Sequence, residues 1–347
     1  MAHLTFTLRS IVATLLAGVS LAATAQDKVL NLYSARHYQT DEALYANFTK
    51  ATGIKINRID ADDAGVITRL KAEGAASPAD VILLVDAARL TKAEAEGMFQ
   101  PLNSPVLLQR IPAHLRDNTS GGPQWFGFST RARLIVYNKA TVQRADVDSY
   151  QKLADPKNKG KVCTRSGSHP YNLTLVGAML QHLGAPATEA WLKGVVDNMA
   201  RAPKGGDTDQ IKAAATGECQ IALTNSYYLA RLMRSTKPED VETMSKIGFV
   251  FPNQDSWGTH INISGGAMAK HAKNPAEAQK FLEYLASDEA QVYFADGNNE
   301  WPAVAGIKVK NPALEAMGTF KVDALPIAQA GANQTQVQQM LDRVGFK

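Results

Sequence analysis

Patterns of strand and helix alternate along the first part of the chain, and this alternation limits the folds that it can adopt. Residues 29–33 are apolar enough for a buried strand, and Thr40 with two acidic residues after it is typical of a helix start. Residues 54–59 alternate like a second strand, residues 67–74 have a helical pattern, and residues 80–85 are a third strand. This β-α-β-α-β order predicts an α/β protein with a mostly parallel sheet, in which ligands bind at the carboxyl ends of the strands.

A second set of strand and helix patterns follows, and the chain then returns. Residues 133–137 are a strand that can cross between two bodies, and Ser168 is placed to cap a helix that runs to Gly184. Short strand patterns come later, at residues 248–251 and 260–263. Because 347 residues are more than one hydrophobic core usually supports, we expect two lobes with a hinged cleft between them.

The expected division of the chain follows from this order of elements. Residues 1–25 are a signal peptide. The first α/β lobe consists of residues 26–130 and 256–305, and the second α/β lobe consists of residues 131–255 and 306–347.

The N-terminal segment has the parts of a secretory signal peptide. Arg9 precedes an apolar run at residues 11–21, and Ala23 and Ala25 provide the small-x-small pattern that a signal peptidase cleaves. The run is shorter than the roughly 20 residues that span a bilayer. We therefore expect a soluble, exported protein. Its 37 basic and 33 acidic side chains are scattered rather than gathered into a stripe, which argues against nucleic acid as a partner.

Two cysteines in an exported chain predict one disulfide bond. Cys163 and Cys219 are 56 positions apart, and neither has the CxxC spacing of a redox or zinc site. Closing a loop of this length stabilises the folded state by roughly 4 kcal/mol in the chain-entropy model. The alternative is a pair of free, buried thiols.

Tyrosines mark three places where a strand pattern gives way to a helix pattern. His37 and Tyr38 follow the first strand, Tyr171 opens the helix of the second set, and the adjacent Tyr227 and Tyr228 follow residues 220–224. Side chains on the first turn of a helix diverge by about 100°, so two neighbouring phenols can reach one bound object. Any one of these tyrosines could instead be a partly buried structural residue, and His37 could be a first-turn polar residue.

Several phenols together favour a small, highly charged cation. A free phenol has a pKa of about 10, so its recruitment as an anion at neutral pH needs a strongly charged partner. Hard oxygen anions prefer hard cations such as Fe³⁺, and the sequence has no HExxH, Walker or GxSxG motif. Four phenolates on Fe³⁺ leave a net negative charge, which predicts Arg131 and Arg231 as nearby compensating cations. Both could also be ordinary surface arginines.

The tyrosine motifs, with others in the same order, resemble the periplasmic ferric-iron-binding proteins, which are the substrate-binding components of ABC iron importers. Besides the tyrosine junctions, the shared motifs are found at residues 33–38, 77–81, 129–138, 262–265 and 298–300, so the resemblance spans nearly the whole chain after the leader. It implies a two-lobed periplasmic-binding-protein fold of type II with one Fe³⁺ in the cleft. It also implies Tyr38 as a ligand from the first lobe, Tyr171, Tyr227 and Tyr228 as ligands from the second, and His37 as a possible fifth.

The sequence differs from one branch of that family. Members that combine a His and a Glu with two tyrosines have a Glu near the second helix, where this chain has Asp60, Asp62 and Asp63. The resemblance therefore favours the tyrosine-rich branch, in which the need for carbonate or another synergistic anion is open. It implies a periplasmic monomer without enzymatic activity that delivers ferric iron to an inner-membrane ABC permease.

Two other functions are compatible with the same residues. A carrier of a small anionic or cationic organic solute could use the tyrosines as an aromatic cage. An iron-tyrosinate enzyme would need open coordination positions beside a substrate pocket, and four or five protein ligands would fill most of them.

The leader and the disulfide bond can be tested together on exported protein. We expect an intact mass that corresponds to a chain lacking residues 1–25, and no thiol that alkylates without reductant. A retained leader would contradict the first expectation, and two reactive thiols would contradict the second.

Overall fold

The computed structural model describes residues 28–36 and 38–347, so the predicted signal peptide and His37 lie outside the described residues. The strands are β1 (Val29–Ser34), β2 (Lys55–Asp60), β3 (Val81–Val85), β4 (Phe126–Asn138), β5 (Val162–Cys163), β6 (Ile221–Asn225), β7 (Ile247–Val250), β8 (Ile261–Met268) and β9 (Trp301–Pro302). The α-helices are α1 (Asp41–Thr52), α2 (Asp63–Glu73), α3 (Ala87–Ala95), α4 (Pro105–Arg110), α5 (Pro170–Leu183), α6 (Ala185–Asp197), α7 (Asp207–Thr216), α8 (Ser226–Met233), α9 (Pro238–Lys246), α10 (Pro275–Leu285), α11 (Asp288–Asn298), α12 (Pro312–Met317), α13 (Ile327–Ala332) and α14 (Gln334–Val344).

The predicted β-α-β-α-β unit is present at the start of the described chain. Strand β1 pairs in parallel with both β2 and β3, and α1 and α2 are the crossover helices. The sheet order is β2-β1-β3-β8-β4-β6-β5, with β7 and β9 also paired to β4. Strand β8, which returns to this sheet after the second part of the chain, is antiparallel to β3. Because β4 also pairs antiparallel with each of its partners, most of the described strand pairings are antiparallel, and the expectation of a mostly parallel sheet is wrong.

The long strand β4 connects the two parts of the sheet. Its first half pairs antiparallel with β8 and β9, and its second half pairs antiparallel with β6 and β7. The sequence predicted a crossing strand at residues 133–137, and the observed strand begins earlier, at Phe126. The two arginines at positions 131 and 133 therefore lie where β4 passes from one part of the sheet to the other.

Separate hydrophobic cores define two lobes. The core of the first lobe includes Phe48 and Phe281, whose ring centroids are 5.0 Å apart. The second lobe has two apolar clusters, one around Tyr150 and Trp191 and one around Ile211. The first core consists mainly of residues up to Phe128 and residues from Ile261 onward, and the two clusters of the second lobe begin at Ala132 and Ile135. The exact lobe boundaries given above stay a prediction.

The helix starts agree with the sequence only in part: α1 follows Thr40 as predicted, although the Thr40 side chain makes no capping bond, and α2 starts at Asp63, four residues before the predicted start. Helix α1 ends at Gly53, whose φ of 72° is the left-handed conformation that glycine adopts without strain. The cap of α5 is His169 and not Ser168, because Nδ1 of His169 accepts a hydrogen bond from the backbone N–H of Tyr171. The Ser168 hydroxyl is instead 3.0 Å from the hydroxyl of Ser166.

The predicted disulfide bond is confirmed. Cys163 at the end of β5 is bonded to Cys219 just before β6, with the two Cα atoms 5.9 Å apart. Both residues are buried, and the bond joins the end of β5, which leads to Tyr171, to the segment before β6, which leads to Tyr227 and Tyr228. Among the described residues, no helix has the length and the apolar character that a membrane span requires.

Candidate metal centre

The tyrosines of all three sequence junctions lie at the ends of elements that face one another. Tyr38 is in the segment between β1 and α1, and Tyr171 is in the first turn of α5. Tyr227 and Tyr228 are in the first turn of α8, directly after β6. The short links that follow β1 and β6 therefore bring residues from distant parts of the chain to the cleft between the lobes.

The four tyrosine side chains form one cluster. The hydroxyl oxygens of Tyr171 and Tyr227 are 2.8 Å apart. The ring of Tyr227 also contacts that of Tyr38, with centroids 5.8 Å apart, and that of Tyr228, with centroids 4.2 Å apart. Tyr38, Tyr171 and Tyr227 are buried, and Tyr228 is partly exposed. The cleft is thus closed around phenols that come from both lobes.

A buried carboxylate binds the phenol of the first lobe. The Tyr38 hydroxyl donates a hydrogen bond of 2.9 Å to Oε1 of Glu300, and the Ser129 hydroxyl donates one of 2.7 Å to Oε2. Nη1 of Arg131 lies 3.4 Å from Glu300 Oε1, and Nη1 of Arg36 lies 3.8 Å from Oε2. Because Glu300 is fully buried, these contacts compensate a charge that would otherwise be very costly.

Arg131 connects this carboxylate to the tyrosines. Its guanidinium carbon is 5.6 Å from the ring centroid of Tyr171, and its Nη1 donates a hydrogen bond of 2.8 Å to the Ser264 hydroxyl. The side chain is completely buried, and its Nε and Nη2 atoms have no hydrogen-bond partner among the described residues. Arg131 therefore carries unused donors and a full positive charge into the tyrosine cluster.

A second charged network lies on the other side of Tyr171. Arg133 donates to Asp207 at 2.7 Å and to Asn172 at 2.8 Å, and Arg165 donates to the other oxygen of Asp207 at 3.2 Å. The guanidinium carbons of Arg133 and Arg165 are 5.9 Å and 4.9 Å from the centroid of the Tyr171 ring. Together with Arg131, three arginines surround this one phenol. Cations over an aromatic face are attracted by its quadrupole.

Burial and the nearby positive charge change the pKa values of the phenols in opposite directions. Burial raises the pKa of Tyr38 well above its ordinary value, and the Glu300 carboxylate raises it further. Burial also raises the pKa values of Tyr171 and Tyr227, and a neighbouring phenol adds to each increase. The positive charge of Arg131 lowers the pKa of all three. Without a bound cation, these three side chains are therefore neutral phenols at neutral pH.

Arg231 and His169 each lie beside one tyrosine of the cluster. The Arg231 guanidinium carbon lies 5.6 Å from the ring centroid of Tyr228, at the exposed side of the cluster. Burial, and then the positive charge of Arg165, lower the pKa of His169 to about 2, so this imidazole is a neutral cap. No group of three or more His, Cys, Asp or Glu side chains suited to a metal occurs among residues 28–36 and 38–347.

Sequence reasoning did not select Glu300, Arg133, Arg165 or Asp207 as site residues. Glu300 belongs to one of the family motifs, which was a usable signal, but its contact with Tyr38 joins residues 262 positions apart. Arg133 also falls within a family motif, at residues 129–138, whereas Asp207 has no motif that distinguishes it from a surface charge. Their burial is what makes them part of the site.

The chain belongs to the family of bacterial extracellular solute-binding proteins, whose family model matches residues 43–318. It is 43% identical over 322 residues to iron uptake protein A1 of Synechocystis sp., covering 93% of this chain and 88% of that protein. A solved Trichodesmium protein (IdiA, FutA), in complex with iron and citrate ligands, is 49% identical with a TM-score of 0.87, over 92% of this chain and 100% of that one. The ferric binding protein from Campylobacter jejuni is 40% identical with a TM-score of 0.86, over the same shares of the two chains.

These similarities confirm the predicted two-lobed periplasmic-binding-protein fold with its hinged cleft. The named relatives are binding and uptake proteins rather than enzymes.

The pairing of Arg131 with Glu300 leads to a prediction about stability. Arg131→Met should lower the free energy of unfolding by about 3 kcal/mol, because breaking a buried ion pair leaves one charge uncompensated. Arg131→Met combined with Glu300→Gln should lose less than the sum of the two single variants. Urea unfolding followed by circular dichroism measures all three losses, and strictly additive losses would contradict the pairing.

Proposed function

We propose that this protein captures ferric iron outside the inner membrane and delivers it to an ABC permease. Tyr38 of the first lobe and Tyr171, Tyr227 and Tyr228 of the second bind one Fe³⁺ as phenolates. His37, which precedes Tyr38 directly, is proposed as a fifth ligand. The relatives named for iron uptake and for ferric binding support this cargo, since they match this chain over nearly its whole length.

The distance between two phenol oxygens is the observation that carries the proposal. A small cation with octahedral geometry binds oxygens at about 2.0–2.1 Å, so two adjacent ligand oxygens lie about 2.8–3.0 Å apart. The hydroxyl oxygens of Tyr171 and Tyr227 are 2.8 Å apart. An ion can thus replace the hydrogen bond between them with little movement. An aromatic cage for an organic cation would present ring faces instead of converging oxygens.

The charges around the tyrosines suit a phenolate–iron complex. Fe³⁺ with four phenolates has a net charge of −1, which is costly to bury unless cations lie nearby. Arg131 and Arg165 approach Tyr171, and Arg231 approaches Tyr228. The two unpaired donors of Arg131 are also suited to carbonate or another synergistic anion beside the iron.

The cellular context of the proposal follows the family. The leader at residues 1–25 directs export, cleavage after Ala25 releases the protein into the periplasm, and the protein acts there as a monomer. Iron release to the permease requires the lobes to separate, because Tyr38 and the other three tyrosines lie on opposite lobes. Hinge opening is the usual way in which such proteins release their ligand.

Iron binding should release protons in proportion to the number of phenols that bind. The buried phenols of Tyr38, Tyr171 and Tyr227 are neutral in the iron-free protein, so these three ligands should together release about three protons per Fe³⁺, and affinity should fall as pH falls. Titration with ferric nitrilotriacetate in weakly buffered solution measures the release, after correction for the chelate alone. The Tyr227→Phe variant should release about one proton fewer. Equal release by the parent and this variant would contradict phenolate binding by Tyr227.

The two adjacent tyrosines should each be required for tight binding. Tyr227→Phe and Tyr228→Phe keep the ring but remove one anionic oxygen, so affinity should fall more than about tenfold, the loss that removal even of an outer partner can cause. The phenolate-to-iron absorption band should shift in both variants.

Tyr150→Phe is the matched control. Tyr150 is also a buried phenol, but its hydroxyl donates to the carbonyl of Arg133 and accepts from the backbone N–H of His260. This variant should lose some stability and keep the parent's colour and affinity. If Tyr227→Phe and Tyr228→Phe bind iron as the control does, the proposed ligand set is wrong.

A further inference from the structure

The two lobes also border a groove of about 610 Å³ that is separate from the tyrosine cluster. One wall is α3 of the first lobe, and the other is formed by α14 and the start of α5 in the second lobe. Small-molecule sites in proteins typically have volumes of about 300–1,000 Å³. The groove is thus large enough for an organic solute, which would contact both lobes at once.

The first-lobe wall presents two unpaired cations. Arg89 and Lys92 are three positions apart on α3, so they lie on the same side of the helix with Cβ atoms roughly 5–6 Å apart. Nε of Arg89 is buried without a hydrogen-bond partner, and neither side chain forms a hydrogen bond or an ion pair with any described residue. This wall therefore offers two cationic groups without a direct hydrogen-bonded or ion-paired partner among the described residues, although, against the larger effect of burial, the positive charge of Arg89 lowers the pKa values of Asp63 and Asp86 nearby.

The carboxylates near these cations have other partners. Glu96 lines the groove, but Lys71 is 2.8 Å from its Oε1. Asp86 is buried and accepts hydrogen bonds from Thr174, Asn262 and the backbone N–H of Ala88. Burial raises the pKa of Asp63 to about 6, and its Oδ1 accepts from the backbone N–H of Val85. None of the three is within ion-pair distance of Arg89 or Lys92.

The second-lobe wall is polar and carries no charge. Ser168, Gln334, Thr335 and Gln339 line it, and the side-chain oxygen of Gln334 is buried without a partner. Apolar residues, among them Leu173, complete the lining. The Thr335 hydroxyl and the Gln339 amide can donate to the outer oxygens of an organic acid, whereas Oε1 of Gln334 only accepts and does not contribute to binding them.

We propose that this groove is a binding site for a small organic polycarboxylate, independent of the iron site. Arg89 and Lys92 each bind one carboxylate, and the Arg89 guanidinium can do so with two parallel hydrogen bonds. Two cations one helical turn apart match two separate carboxylates better than they match one phosphate group. The hydroxyl and amide groups of the second lobe bind the far end of the acid, so that the ligand bridges the lobes.

Calorimetry on iron-free protein with propane-1,2,3-tricarboxylate tests the proposal. This acid lacks the hydroxyl group that citrate uses in chelation, so its binding does not depend on metal. We expect saturable binding that weakens with added salt, since exposed charges are screened within about 10 Å at 0.1 M. Inorganic phosphate should bind at least tenfold more weakly.

Variants separate this site from the iron site. Arg89→Gln and Lys92→Gln should each weaken tricarboxylate binding at least tenfold, while Lys308→Gln, a substitution of an exposed lysine outside the groove, should leave it unchanged. Tyr227→Phe should bind the tricarboxylate as the parent does, whatever its effect on iron. The proposal is overturned if the parent binds no tricarboxylate, or if Lys92→Gln, which alters only an exposed side chain, and folded Arg89→Gln both bind it like the parent.

Discussion

Two buried arginines on the crossing strand hold the candidate site together. Arg131 and Arg133 are two positions apart on β4, so their side chains leave the same face of the strand and both approach the Tyr171 ring. Arg131 pairs with Glu300, whose other partners belong to the first lobe, and Arg133 pairs with Asp207 of the second. One strand thus supplies a compensated positive charge to each side of the cleft, and the tyrosines pack between them.

This arrangement explains how the proposed ligand phenols can stay protonated until a cation binds. Burial favours the protonated form of the phenols, and the arginines favour the phenolate form. A trivalent cation adds a much larger positive charge at the same place, so it can displace the protons where the arginines alone do not. Because protons compete with the cation for the phenol oxygens, a lower pH and an opening of the lobes would each favour release of the cation.

The sequence was sufficient for the local features of this architecture. The strand and helix periodicity predicted the β-α-β-α-β unit, and the even cysteine count in an exported chain predicted the Cys163–Cys219 bond. The junction positions predicted that Tyr38, Tyr171, Tyr227 and Tyr228 would come together, which they do. The strand and helix pattern depends on neighbours in the chain, whereas the disulfide bond and the tyrosine cluster were predicted from residue type and junction position.

The features that the sequence did not predict depend on long-range contacts. Nothing near Glu300 in the chain indicates that its carboxylate accepts a hydrogen bond from Tyr38, and nothing near Arg165 indicates that it shares Asp207 with Arg133. The capping error at α5 has a local cause. Ser168 is the commoner type of cap, but its hydroxyl lies beside that of Ser166 and leaves the capping bond to His169.

The central claim is that one ferric ion is bound by phenolates from both lobes. A crystal structure of the iron-loaded protein, with anomalous diffraction recorded on both sides of the iron absorption edge, tests it most directly. We expect one iron peak within bonding distance of the hydroxyl oxygens of Tyr38, Tyr171, Tyr227 and Tyr228, with the lobes closed around it. An iron peak bound by carboxylates elsewhere, or by tyrosines of one lobe only, would contradict the account.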